Sequence, residues 1–186
     1  MLDMHNHYGL TREPFTKNLT LDMLHHHHGH DEAAARITWC IREGAIGVIT
    51  GEAGAGKTAA ARAATGGIDR TRHHVIYIAN PTTGVRGLWF AIVAATGGKP
   101  VMHTAALAAQ AEHALAAEAG ERGRRPVLVI DEAHLLRYEQ LETIRMLTNH
   151  NLDADSPLAA LLVGQPTLRR TMKLAVLAAL VISSLS

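Results

Sequence analysis

Ala45–Thr58, AIGVITGEAGAGKT, joins an apolar run to a glycine-rich turn. Ile46–Thr50 reads as a short buried strand. Gly51, Glu52, Ala53, Gly54, Ala55, Gly56, Lys57 and Thr58 then match GxxxxGK[ST]. The alanine-rich run Ala59–Ala64 favours helix by propensity. Strand, glycine loop and helix in that order form the setting in which this motif cradles phosphate. The glycines let successive N–H groups point inward. The helix N-terminus adds its own N–H groups and positive dipole end. In such a loop Lys57 reaches the β- and γ-phosphates of a nucleoside triphosphate, and the Thr58 hydroxyl ligates Mg²⁺. A plain glycine turn ahead of a helix is the competing reading, and the flanking strand and helix argue against it.

The 186 residues suit one domain with a real core. Hydrophobic residues make up 47% and aromatics only 4%, so the core must be built from Ala, Leu, Ile and Val. That composition favours helices packed on a sheet. A net charge of +1 and a pI of about 8.1 do not by themselves indicate a nucleic-acid or membrane binder. Cys40 is the single cysteine, so an intrachain disulfide and a cysteine zinc site are both excluded, as suits a reducing cytoplasm. The start of the chain lacks a basic-then-apolar signal segment. The run Leu174–Ile182 is well short of a membrane span.

Outward from the loop, residues 1–30 form an N-terminal extension without helical or strand periodicity, and residues 31–186 form the nucleotide-binding core. His25–His28 and His30 lack the spacing of a ligand set and read as a polar loop. A helix begins near Asp31, with Ala34, Ile37 and Ile41 on one face, and ends at Gly44. Gly66-Gly67 stops the alanine-rich helix. His74–Ala79, Val127–Ile130 and Leu158–Val163 read as further buried strands. Helices are expected over Gly87–Ala95, over Ala105–Ala119 with Thr104 as its cap, over Leu135–Thr148 and over Thr167–Leu180. Continuous apolar strands alternating with helices predict an α/β, three-layer fold on a parallel sheet.

Val127–Ile130 runs directly into Asp131 and Glu132. Many strands end in acids at a solvated turn, but a phosphate loop upstream gives these two carboxylates a use. Asp131 is placed to hold Mg²⁺ through its water shell. Glu132 is placed to polarise the water that attacks the γ-phosphate. His134 completes Asp-Glu-Ala-His, a tetrapeptide that also marks helicases with two tandem nucleotide domains. This chain has one, so His134 reads as a helix-starting, solvent-facing residue. Gln165 follows the strand Leu158–Val163, at the end of a parallel sheet where ligands bind, and could sense the γ-phosphate or orient water. A loop glutamine bonding nearby backbone is the equal alternative.

With both motifs present, the chain resembles the AAA+ ATPases of the ExeA/TnsC/TniB type, which are secretion-pathway ATPases and transposition helper proteins. The stretches that carry the resemblance are YGLTREPF (Tyr8–Phe15), GEAGAGKT, VLVIDEAH, YEQLETIRMLTN and LLVGQPTLRRTMKLAVLAAL. It implies ATP and Mg²⁺ as cofactors, hydrolysis of ATP to ADP and phosphate, and assembly into a homo-oligomeric ring or filament. It also implies a protein partner such as a transposase, acting on DNA, and packing of Tyr8–Phe15 near the adenine. The implied sheet order is 5-1-4-3-2. The match departs after Leu180, where the fifth strand and the helical lid look to be missing. On that reading the chain is C-terminally truncated, Ile46–Thr50 becomes an exposed sheet edge, and Val181-Ile182 is too short to replace a strand. A nucleotide-binding fragment with little turnover and an ExeA-like secretion ATPase stay open as alternatives to an ATPase that regulates a transposase.

Overall fold

The computed structural model describes residues 28–52, 54, 56–148, 158–174 and 180–185, with side chains described for 32–52, 54, 56–148 and 158–173. The extension motif Tyr8–Phe15, the histidines before His28, Ala53 and Ala55 lie outside the described residues. In chain order the elements are α1 (His28–Glu43), β1 (Ile46–Gly51), α2 (Lys57–Gly66), β2 (His73–Ile78), α3 (Gly84–Ala95) and α4 (Thr104–Gly120). They continue with β3 (Arg125–Ile130), a 3₁₀ turn (Ala133–Leu135), α5 (Tyr138–Thr148), β4 (Ala159–Gly164), α6 (Thr167–Leu174) and β5 (Leu180–Leu185).

All strand pairings are parallel and the sheet order is β2-β3-β4-β1-β5. Strand alternation divides the apolar side chains between two cores. Ile46, Val48, Ile76, Ile78, Leu128, Ile130, Ala160 and Leu162 face one side, where Leu88, Ile92, Leu107, Leu115, Leu141, Ile144 and Leu168 of α3–α6 cover them. Ile49, Val127, Val129, Ala159, Leu161 and Val163 face the other, beneath Ile37, Cys40 and Ile41 of α1 and Ala61 and Ala64 of α2. This is the three-layer arrangement expected. The small residues of α2 let that helix lie close on the sheet, which brings the loop at its N-terminus down to the strand ends.

The fifth strand is present, which corrects the expectation that it is missing. Leu180–Leu185 pairs in parallel with β1, from Gly47↔Leu180 to Gly51↔Leu185, with a register shift between Val48 and Ile49. β1 is therefore an inner strand, hydrogen-bonded to β4 on one side and to β5 on the other. The last helix is described only to Leu174, and Leu180 belongs to a strand. The apolar residues after Lys173 fit a helical period, but Val181 and Ile182 are β-branched and extend the strand through Ser183 and Ser184.

Smaller differences follow the same logic. β2 is an edge strand, and its burial is partial, with Tyr77 42% exposed. Thr104 is the first residue of α4, and its cap position falls to His103, which makes no side-chain cap bond. The segment after β3 does not enter helix directly but passes through the 3₁₀ turn before α5.

Candidate functional site

The registers set the strand ends level. Thr50 pairs with Gly164, Ile130 with Leu162, and Ile78 with Ile130. The loop after β1, Asp131 after β3 and Gln165 after β4 thus share the C-terminal edge of the sheet, with β4 between the other two strands.

Gly54 and Gly56 both take left-handed backbone, with φ of 84° and 74°. A Cβ on Gly54 would meet no atom within 4 Å, so the turn itself rather than crowding calls for glycine there. Lys57 opens α2 and its Nζ donates to the Glu52 carbonyl at 2.6 Å, so the ammonium folds back across the loop. One residue on, Thr58 Oγ1 donates to Asp131 Oδ2 at 3.0 Å. That bond joins residues 73 positions apart, and it ties the two motifs into one site.

Asp131 is 9% exposed. Its Oδ2 also accepts from the Tyr77 hydroxyl at 2.8 Å, and its Oδ1 accepts from the Glu132 amide at 2.9 Å. Strand alternation explains the first contact: Val75 and Tyr77 lie on the α2 side of the sheet with Val127 and Val129, and Asp131 continues that face. Arg62 of α2 reaches over the Tyr77 ring, 6.0 Å from its centroid. Burial raises the Tyr77 phenol pKa, the hydrogen bond to Asp131 and that carboxylate's charge raise it further, and Arg62 opposes both.

Glu132 is the one non-glycine with positive φ among the described residues, at 51°. An L-residue pays for that conformation, so the turn is over-determined by what surrounds it. The Glu132 side chain is about half exposed, and its carboxylate lies 3.3 Å from His134 Nδ1. His134 is not solvent-facing, as its side chain is only 15% exposed. The turn that carries it lies tightly on β4: a Cβ on Gly164 would sit 2.9 Å from the His134 amide nitrogen. Glycine at the end of β4 is what allows the 3₁₀ turn to rest on that strand. Gln165 is exposed directly beyond it.

The oxygens of Thr58 and Asp131 have the chemistry of a Mg²⁺ site, in which one or two carboxylates act together with substrate phosphates. Among the described residues no three His, Cys, Asp or Glu side chains gather to form a self-contained metal cage. A cavity of about 480 Å³, lined by Ala34, Ile41, Ala64, Ile68 and Arg72 among others, lies between α1 and the C-terminal end of α2, away from the loop.

A family model described as an AAA domain matches residues 41–172, from the end of α1 to α6. The chain belongs to the AAA domain family. This AAA domain is 31% identical over 171 residues to General secretion pathway protein A of Aeromonas hydrophila, covering 89% of the chain and 30% of that protein. It thus spans about a third of that relative's length. Its fold is similar to that of the Aeropyrum pernix ORC2 protein in its ADPNP-ADP complexes, at a TM-score of 0.64 and 15% identity, over 94% of this chain and 51% of that one. It is equally similar to Cdc6p of Pyrobaculum aerophilum, at 0.64 and 18% identity, over 91% and 48%. Family and fold together make this an α/β P-loop domain of the AAA+ type, which implies nucleotide binding, ordinarily with Mg²⁺. Among the described residues no helix is long and apolar enough to cross a membrane.

Tyr77 is the site residue that the sequence reading missed. The signal was available, because alternation along His74–Ala79 puts a phenol at the C-terminal end of a strand beside the one that carries Asp131.

Proposed function

We propose that this domain binds Mg²⁺-ATP at Gly51–Thr58 and hydrolyses it. The observation that carries the reading is the 3.0 Å bond from Thr58 to Asp131, which brings an alcohol and a carboxylate together beside a phosphate-type loop. The amides of the loop and of the first turn of α2 would hold the phosphates. Lys57 would exchange the Glu52 carbonyl for phosphate oxygens and supply a positive charge there. Thr58 and Asp131 would hold Mg²⁺, which when bound neutralises charge on the β- and γ-phosphates. Glu132, exposed and held in its turn by the backbone, would accept the proton of the attacking water. Gln165, at the end of the strand between the two motifs, would orient that water or contact the γ-phosphate.

ATP turnover in this reading drives a macromolecular partner, through contacts between copies of the domain. The identity to General secretion pathway protein A favours a secretion-type partner over a transposase on DNA, the second reading, which rests on the resemblance of the sequence motifs alone. A domain that binds nucleotide with little turnover is the remaining alternative, and it is separated from the others by assay of phosphate release. The nucleotide site is tested with Lys57→Ala. Calorimetry should show Mg²⁺-ATP affinity falling at least tenfold, about 1.4 kcal/mol. Equal affinity in parent and variant would remove the phosphate-loop assignment.

A further inference from the structure

We propose that Tyr77 is a positioning residue for the Mg²⁺ half of the site, its hydroxyl holding the Asp131 carboxylate in the one orientation that leaves Thr58 free to ligate. The inference rests on the reading of Thr58 and Asp131 as the cation's residues. It begins from a constraint on the Thr58 hydroxyl. That group has one proton and gives it to Asp131 Oδ2, so its lone pairs point away from the carboxylate, where a cation would sit. The arrangement fails if the carboxylate turns about its Cβ–Cγ bond. Two donors prevent the turn, one on each oxygen: the Glu132 amide on Oδ1 and the Tyr77 hydroxyl on Oδ2.

The Glu132 amide is fixed by the backbone and is present whatever the side chains are. Tyr77 is therefore the side-chain lock that this sequence adds, delivered from the neighbouring strand β2. Both of its properties suit the task. The phenol is neutral, so it orients the carboxylate without competing with a divalent cation for its charge. The ring is itself held, by the strand on one side and by the Arg62 guanidinium over it. Partners of this kind, behind the groups that ligate, commonly govern metal affinity while leaving the rest of the ligand's binding untouched.

The test measures binding of a fluorescent ADP by anisotropy, in chelator and across a Mg²⁺ titration, for the parent, Tyr77→Phe, Tyr77→Leu and Asp131→Asn. No turnover is needed. Tyr77→Phe keeps the ring and its packing and loses only the hydroxyl. It should bind the nucleotide as the parent does in chelator, keep its melting temperature within a few degrees, and need roughly tenfold more Mg²⁺ to reach the high-affinity state. Tyr77→Leu should show the same Mg²⁺ defect together with lower stability. If Asp131→Asn loses the Mg²⁺ response and Tyr77→Phe keeps the parent's, the positioning role falls and the cation site stands. If Tyr77→Phe binds equally poorly with and without Mg²⁺, the hydroxyl acts on the fold and the proposal falls as well. If the parent itself shows no Mg²⁺ response, the cation site and the proposal are overturned together.

Discussion

Two buried carboxylates sit at opposite ends of the sheet, and they differ in the charge of the groups around them. Asp131, past the C-terminal end of β3, accepts hydrogen bonds from two hydroxyls and one amide, all neutral. Glu118, near the C-terminal end of α4, is fully buried and surrounded by cationic or basic groups. Arg122 donates to its Oε1, Arg124 Nη2 lies 2.8 Å from its Oε2, and His74 Nδ1 lies 3.1 Å from the same oxygen. Glu118 has had its charge answered by the protein, so it staples α4 to the starts of β2 and β3. Asp131 has had its lone pairs ordered by neutral donors, and among the described residues no cation forms an ion pair with it. Of the two, only Asp131 has a use for an external cation, and it is the one beside the phosphate loop.

Glu132→Gln sharpens the contrast most. It keeps shape and hydrogen bonding and removes the basic oxygen, so ATP affinity should stay near the parent's while phosphate release falls roughly 100-fold or more. Unchanged turnover would move the base to another residue. The stapling role predicts a large effect of a different kind. Removing the acid by Glu118→Ala takes the buried acceptor away from the partly exposed Arg122 and Arg124 and from His74, and should cost about 1–3 kcal/mol in denaturant unfolding near neutral pH. Burial raises the Glu118 pKa, but His74 and the two arginines outweigh it and hold the carboxyl below its ordinary 4.5. The network therefore stabilises the fold fully above that value and loses its contribution as acid takes the carboxyl through its lowered folded pKa. The gap between parent and Glu118→Ala should close on acidification. A gap that stays constant with pH would mean that packing, not charge, is what Glu118 supplies.

The legibility of the chain divides along the same line. The strand, loop and helix around Gly51–Thr58 and the strand-ending places of Asp131 and Glu132 could be read, because short spacing carries them. The order 5-1-4-3-2 came with the family resemblance, and the sheet has that order. What could not be read depended on long-range packing. Leu180–Leu185 was hidden by a helix-like period before it, and its strand character appears only against the open edge of β1. The turn that carries His134 lies close on Gly164, a contact between residues far apart in sequence. Glu118 lies on an alanine-rich helix, where an acid reads as surface, and two of its partners arrive from other segments.

The comparison is tested most directly by the rise in melting temperature on adding Mg²⁺-ATP, measured for the parent, Asp131→Asn and Glu118→Gln. Anything that binds the folded state alone raises that temperature by mass action. The account predicts that Glu118→Gln starts lower and keeps the parent's Mg²⁺-dependent rise, while Asp131→Asn starts near the parent and loses most of it. A full Mg²⁺-dependent rise in Asp131→Asn would contradict the account, because the carboxylate held by neutral donors would then not be the one that serves the cation.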